Sequence, residues 1–244
     1  MTTADAAGML RISQRQVQRM IAAGRLPATR TAGDAWVVDA LAVNAMARAR
    51  PDRGRPWSPA AAWAALWRLS GLEVDWLDRR TTSRLTARLE SIGAEELLHA
   101  TRRRAVVRRY RVSESFAAEF RTAVVLSGTS AMTAATFGIE ADSTSLDGYC
   151  DSEALTRIVH DFHLVDDARG NATLRAAALR SLPIHGRKTM PVAVVAADLA
   201  ESLEARERSA GLRVLEDLLR WRPCASRPHP AAGQHGLRAA RSSR

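Results

Sequence analysis

The chain has 244 residues, 46% of them apolar, and a formal net charge of +10 at pH 7. This length suits two or three compact units. No apolar run reaches the roughly 18 residues of a membrane-spanning helix, and the first residues lack a secretory signal pattern. Cys150 and Cys224 have neither disulfide-framework nor metal-ligand spacing, and such thiols fit a reducing cytoplasm. We therefore expect a cytoplasmic protein with no membrane association and no cofactor.

The charge is unevenly distributed along the chain. Residues 1–57 contain nine arginines against four aspartates, and residues 58–121 contain twelve arginines against eight acids. Residues 122–221 reverse the sign, with ten basic and fourteen acidic side chains, and residues 222–244 add five arginines. A basic front half favours a polyanionic partner, because binding phosphates releases counterions. The acidic region indicates a different task.

The first predicted elements are two short helices separated by a tight turn. Thr3, or alternatively Thr2, is a good N-cap for a helix that ends near residue 10. Ser13 then caps a second helix over residues 14–23, and Gly24 stops it. The apolar residues of this second helix are three and four apart and form one face: Val17, Met20 and Ile21.

A hairpin and a third helix follow. Residues 28–31 and 36–38 predict two short strands around a Gly-Asp turn, and Asp39 caps a helix over about residues 40–48. In a helix-turn-helix the second helix enters the major groove, where Arg pairs with guanine and Gln with adenine. The candidate base contacts are Gln14, Arg15, Gln16, Gln18 and Arg19, and Arg30 and Thr31 are candidates for flanking contacts.

The ordered set of helix, turn, polar helix, G-R-L-P and hairpin resembles the excisionase/MerR-type helix-turn-helix family. The resemblance covers residues 1–49, through AAGMLRISQRQVQRMIAAGRLPATR and Trp36. It implies a winged helix-turn-helix that binds double-stranded DNA, such as the protein's own promoter. Members often carry a basic residue beside the wing aromatic, whereas Ala35 and Val37 flank Trp36 here.

Residues 50–57 form a charged, Pro/Gly-rich linker, and residues 58–121 predict a helical unit. Its expected helices cover residues 58–69, the vicinity of Trp76–Leu77, and residues 82–92. A basic strand segment follows, and this order favours either a plain helical unit or a second winged helix. The basic residues of that segment are Arg102, Arg103, Arg104, Arg108, Arg109 and Arg111. Charge that protects an edge strand and a second nucleic-acid surface remain alternatives for this run.

Residues 122–221 mix short strands and helices, which predicts an α+β domain. The expected strands lie at 123–126, 145–150 and 171–176, and the expected helices at 131–137, 152–160 and 200–219, with 191–197 extended or helical. Residues 222–244 lack a core pattern and are expected to be disordered. The whole chain is therefore predicted to be a helix-rich α+β protein.

Three groups of polar residues in this region are candidates for chemical sites. His160 and His163 share a helix face as zinc ligands would, but no third ligand is evident. The segment 127–130 follows a strand, yet the chain lacks G-x-S-x-G, Walker A and G-x-G-x-x-G patterns. A carboxylate group comprises Asp147, Asp151 and Glu153. Structural explanations fit all three groups at least as well, so we expect neither catalysis nor a bound metal.

The region of residues 100–212 resembles the abortive-infection antitoxin (AbiEi-like) family. The segments that carry the resemblance are RRRAVVRRYRVSESFAAEFRTAVVLSGTSA, GNATLRAAALRSLP and PVAVVAADLAESLEARERSAG. The resemblance implies an antitoxin that represses its own operon and counteracts a nucleotidyltransferase toxin. A homodimer would suit paired half-sites. Two alternatives are a recombination or replication accessory protein and an enzyme that acts on nucleotides or RNA.

Overall fold

We describe a computed structural model of the chain, and the description covers residues 1–31, 33, 35–48, 55–140, 144–184, 186–202 and 204–220. Within these ranges the protein has a mixed α+β fold rich in helix, as predicted. Some predicted features lie outside the described residues: the tail at 222–244, most of the linker at 50–57, and Ala32 and Asp34 of the hairpin turn.

Local capping bonds define the starts of the first two helices. Thr2 caps α1 (Thr3–Leu10), where its hydroxyl accepts a hydrogen bond from the Asp5 amide and the Asp5 carboxylate accepts one from the Thr2 amide. Ser13 caps α2 (Gln14–Ala22) by accepting a hydrogen bond from the Gln16 amide at 3.2 Å. The start of α2 agrees with the sequence prediction, whereas the cap of α1 is Thr2, the alternative to Thr3.

The N-terminal domain, residues 1–48, is completed by a small hairpin and a third helix. Strand β1 (Ala28–Arg30) pairs antiparallel with β2 (Trp36–Val38), and α3 (Ala40–Arg48) follows. The Asp39 carboxylate accepts a hydrogen bond from the Ala42 amide at the start of α3. These elements enclose a core of their own, formed by Ala6, Ala7, Leu10, Val17, Met20, Ile21, Leu26, Val38 and Val43.

Residues 55–220, called here the α+β unit, begin with three helices. They are α4 (Pro59–Leu69), α5 (Arg79–Leu89) and α6 (Ala94–Thr101). The prediction of a helix near Trp76–Leu77 is wrong, because that segment is a bend before the N-cap of α5. Trp76 instead packs edge-on against Trp67 and donates from its indole nitrogen to the Ala60 carbonyl.

A five-stranded mixed sheet forms the centre of the α+β unit. Its strands are β3 (Val106–Arg111), β4 (Val125–Leu126), β5 (Leu146–Asp151), β6 (Val165–Asp166) and β7 (Ala172–Ala177). The strand order is β4-β5-β7-β3-β6. Only the β5–β7 pair is parallel, and the other neighbours are antiparallel.

Helices cover both faces of this sheet. The remaining helices are α7 (Ala117–Ala123), α8 (Gly128–Ala131), α9 (Ala134–Phe137), α10 (Leu155–Asp161), α11 (Val192–Ala200) and α12 (Ala205–Arg220). Phe120 of α7 and Ile158 of α10 pack on the face that presents Leu146 and Leu174. The opposite face presents Tyr149 to α4 and α11. None of the helices in the described ranges combines the length and apolar character needed to cross a membrane.

The two predicted units at 58–121 and 122–221 contribute to the same core. Trp63, Trp67 and Leu97 belong to one hydrophobic cluster with Val194 and Leu215. Strand β3, expected to end the middle unit, pairs with β6 and β7, both of which follow residue 121. The described structure therefore does not confirm a second winged helix, and the boundary near residue 121 stays a prediction.

Candidate nucleic-acid interface and a buried charge cluster

The second helix of the N-terminal domain separates its apolar and polar residues cleanly. Val17, Met20 and Ile21 are buried in the domain core. The predicted base-contacting residues are all exposed, namely Gln14, Arg15, Gln16, Gln18 and Arg19. Gln14 also has a structural contact, because its side-chain nitrogen donates to the Thr3 hydroxyl at 2.7 Å and ties α2 to α1.

The turns at the two ends of α2 hold this helix in place. Arg11 adopts a left-handed conformation with φ of 43°, which reverses the chain between α1 and α2. Gly24 has φ of 65°, a conformation that glycine adopts without steric cost. The chain then turns inward at Leu26, which is almost fully buried. The G-R-L-P segment therefore anchors the end of α2 to the core.

The wing residues lie on the surface. The Arg30 guanidinium lies over the Trp36 ring at 4.7 Å from its centroid. The Thr31 hydroxyl and the Ala35 backbone hydrogen-bond each other across the turn. Both predicted wing contacts are thus exposed, with side chains partly engaged within the hairpin.

The arginine run of residues 102–111 is less available than its composition suggests. Arg104 is only 3% exposed, so its predicted role as a DNA contact is corrected: its guanidinium is enclosed by its own carboxylate partners. Arg102 is half-buried beside His99, whereas Arg103 is exposed. Arg109 is half-buried as well.

Two further members of the run face carboxylates at the surface. Arg108 lies 3.9 Å from Asp166, and Arg111 donates twice to Asp167. Exposed pairs of this kind contribute about 0–1 kcal/mol each. These pairs lower the positive electrostatic potential around β3 and contribute little to the stability of the fold.

A buried charge cluster occupies the space between the sheet and α11. Arg104 donates to Asp198 at 2.6 Å, to Glu201 at 2.8 Å and to the Tyr149 hydroxyl at 3.0 Å. The Tyr149 hydroxyl in turn donates to Asp198 at 2.9 Å. Arg175 pairs with Asp147, and its Nε lies 3.1 Å from Asp198.

Asp147, the acid of this cluster that pairs with Arg175, is closely packed and buried, and its burial changes its pKa. Gly128 has φ of 45°, and a Cβ there would collide with the Asp147 carboxylate. Burial raises the pKa of Asp147 to about 7, although Arg175 opposes the rise. Burial likewise raises the pKa of Tyr149. These groups are held by one another, so the cluster connects β5, β7 and α11.

Sequence reasoning missed Arg175 and Asp198. One signal was present: Asp198 is the only acid in the apolar helix VAVVAADLA, and an acid buried there needs a cation. Its partner Arg104 is 94 residues away, so no local spacing identifies it.

The other weighed groups do not converge on one site. His160 is exposed beside Asp161, and within the described ranges no group of three His, Cys, Asp or Glu side chains has the arrangement of a metal site. Ser127 is fully buried and donates to Asp198. Asp147 is inside the charge cluster, whereas Asp151 and Glu153 face Arg180.

Comparison with known proteins gives a family match for the N-terminal segment. Residues 1–51 match the family model described as "Helix-turn-helix domain". No curated protein matches the chain, and no solved structure matches it. The N-terminal segment is therefore a helix-turn-helix domain, a class that indicates a DNA-binding regulator.

Proposed function

We propose that this protein is a sequence-specific transcription regulator that binds double-stranded DNA at its own promoter. The observation that carries the proposal is the exposed polar face of α2, which belongs to the matched helix-turn-helix domain. Arg15 and Arg19 are one helical turn apart, so both can reach base edges in one major groove. Gln16 and Gln18 supply amides that suit adenine.

Phosphate contacts are proposed for a smaller set than the arginine content suggests. Arg103 is exposed and has no hydrogen bond or ion pair among the described residues. Arg108 is exposed with its nearest carboxylate oxygen 3.9 Å away, which a phosphate can displace. Arg30 and Thr31 would contact the backbone or minor groove beside the α2 site. Two copies of the chain would then read paired half-sites.

We further propose that the regulator is the antitoxin of an operon that encodes a nucleotidyltransferase toxin. Support comes from the resemblance of the segments within residues 100–212 to AbiEi-like antitoxins. The proposal assigns DNA binding to the N-terminal domain and the antitoxin role to the α+β unit. It also holds that the protein acts by binding rather than by catalysis.

DNA binding is tested by measuring affinity for the DNA upstream of the gene. Replacing both Arg15 and Arg19 with Ala removes two base contacts at about 1–3 kcal/mol each. We expect binding to the operator to fall toward the affinity for unrelated DNA.

Arg80 and Arg84 provide a matched control pair, because they have the same four-residue spacing on α5 and are both exposed. Replacing both with Ala removes the same charge and should leave operator affinity within about twofold. Equal losses in the two double variants would show that only net charge matters, and normal binding by the Arg15/Arg19 variant would refute the assignment of α2.

The antitoxin role is tested by co-expression with the nucleotidyltransferase encoded beside the gene. Growth arrest by that enzyme alone, relieved by the full chain, supports the proposal. The Arg15/Arg19 variant should still relieve the arrest, because that function is assigned to the α+β unit. The absence of such a neighbour, or arrest that persists with the full chain, would contradict the proposal.

A further inference from the structure

The sheet of the α+β unit leaves part of one face open beside α11. The register places Arg109 opposite Thr173, and Thr173 opposite Asp147, in one row across three strands. The adjacent row on the same face contains Val107, Arg175 and Tyr149. A cavity of about 1230 Å³ is lined by Val107, Arg109, Thr173 and Arg175 of these rows. Its lining also includes Asp147, Asp198 and Glu201 of the buried charge cluster, and Met9, Arg11 and Ala47 of the N-terminal domain.

Arg109 differs from the arginines around it. Arg104 and Arg175 are paired with buried acids, and Arg108 faces Asp166 from the opposite face of β3. Arg109 is half-buried and attracts the Asp147 carboxylate one strand beyond Thr173, but among the described residues its guanidinium has no hydrogen bond and no carboxylate within ion-pair distance. A partly buried guanidinium that lacks such a partner retains its capacity to bind an anion.

Two further donor groups adjoin Arg109. The Thr173 hydroxyl, its direct cross-strand neighbour, makes no hydrogen bond within the described residues. Arg175 is 4% exposed, and its Nε has no hydrogen-bond partner despite its proximity to Asp198. Side chains on directly opposed strands are about 5 Å apart, and alternate residues of a strand are about 7 Å apart. Arg109 and Thr173 therefore offer two neighbouring donor groups to an anion with several oxygens. Arg175 adds positive charge beside them, although its own guanidinium contacts Asp147 and Asp198.

The residues that line the rest of the cavity limit the kinds of ligand that it can bind. Leu98 of α6 and Leu212 of α12 line the cavity with apolar surface. Glu95 and Glu204 line it too, and both are exposed. Exposed carboxylates repel a long polyanion, whereas a small molecule can place one anionic group beside Arg109 and Thr173 and an uncharged part against the leucines.

We propose that this cavity binds a phosphate-bearing small molecule of nucleotide size, with the phosphate held by Arg109 and Thr173 beside the charge of Arg175. The site is separate from α2 and adds ligand binding to a protein whose proposed function is DNA binding. A regulator with such a site senses a phosphorylated metabolite through its α+β unit.

Calorimetric titration of the full chain with AMP, pyrophosphate and adenosine tests the proposal. We expect saturable one-to-one binding of AMP and pyrophosphate, and binding of adenosine at least tenfold weaker because it lacks phosphate. Arg109→Ala should weaken AMP binding at least tenfold, and Thr173→Val severalfold. The Arg15/Arg19 double variant should bind AMP normally, which separates this site from the DNA-reading helix.

Arg108→Ala is the matched control, since it removes the same charge from the next residue of the strand on the opposite face. It should leave AMP binding within twofold, and thermal unfolding should confirm that all variants fold. The proposal is overturned if no phosphate compound binds at 10 mM, if Arg109→Ala binds AMP normally, or if both arginine variants lose affinity equally. Tighter binding of single-stranded DNA, lost in both variants, would instead identify a nucleic-acid surface.

Discussion

The N-terminal domain and the α+β unit use arginine in opposite ways. On α2 the polar face is exposed, and Arg15 and Arg19 have no acidic partner within the described residues. In the α+β unit, Arg104 and Arg175 are buried and paired, and Arg108 and Arg111 face surface acids. The same residue type therefore presents charge to a partner in one region and holds the fold together in the other. Local counts of basic residues do not distinguish these uses, whereas burial and pairing do.

The largest expected effect comes from breaking the buried charge cluster. Arg104→Met leaves Asp198 and Glu201 without their shared guanidinium, and removing one partner of a buried pair costs about 3–5 kcal/mol. Urea unfolding of the full chain, followed through the fluorescence of the buried Trp63 and Trp67, measures the loss. Arg103→Met, at the exposed neighbouring position, should cost under about 0.5 kcal/mol. Similar costs for the two variants would remove the distinction between buried and surface arginines.

The second effect is smaller, because Asp147 can shed its charge by taking up a proton whereas Arg104 cannot. Burial raises the pKa of Asp147 from 3.8 to about 7, against the attraction of Arg175. The folded state then binds this proton more tightly than the unfolded state. The resulting contribution to stability is complete below about pH 4 and is lost as pH rises toward 7.

Asp147→Asn removes this titration. The unfolding free energy of the unmodified protein minus that of the variant should therefore decrease as the pH rises from 4 to 7. Asp167→Asn is a control of opposite sign. Hydrogen bonds from the Arg169 amide and the Arg111 side chain lower the pKa of Asp167, so its contribution is lost as pH falls. Urea unfolding at several pH values measures both differences. Parallel pH profiles for the two variants would show that Asp147 is not held in a protonated form.

The two regions also differ in how far their structures follow from sequence. The N-terminal domain was predicted almost residue by residue, because caps such as Ser13 and the stop at Gly24 act within a few residues. In the α+β unit the strands were found, but their pairing was not. Arg109 and Thr173 are neighbours in the sheet although 64 positions separate them, and only the folded chain brings them together.

Errors in the α+β unit have the same origin. Tertiary packing places Trp76 against Trp67. This contact outweighs the local helix propensity on which the predicted helix near Trp76 was based. Helix α6 was missed because Gly93 precedes it and no side chain caps it. Arg104 was assigned to DNA because its run is basic, and only the distant Asp198 and Glu201 explain its burial. Sequence patterns of short range thus recovered the candidate DNA interface and missed the buried charge cluster.

The smallest predicted effect compares one helix cap from each region. Ser13 caps α2 with a 3.2 Å bond from the Gln16 amide, and Ser58 caps α4 with a 3.3 Å bond from the Ala61 amide. Replacing either serine with Ala costs about 1 kcal/mol of helix stability. If the regions open independently, Ser13→Ala should speed amide exchange in α2 about fivefold and leave α4 unchanged, and Ser58→Ala should do the reverse. Exchange that rises in both helices with either variant would show that the N-terminal domain and the α+β unit unfold together, and their separate cores would then not define separate stabilities.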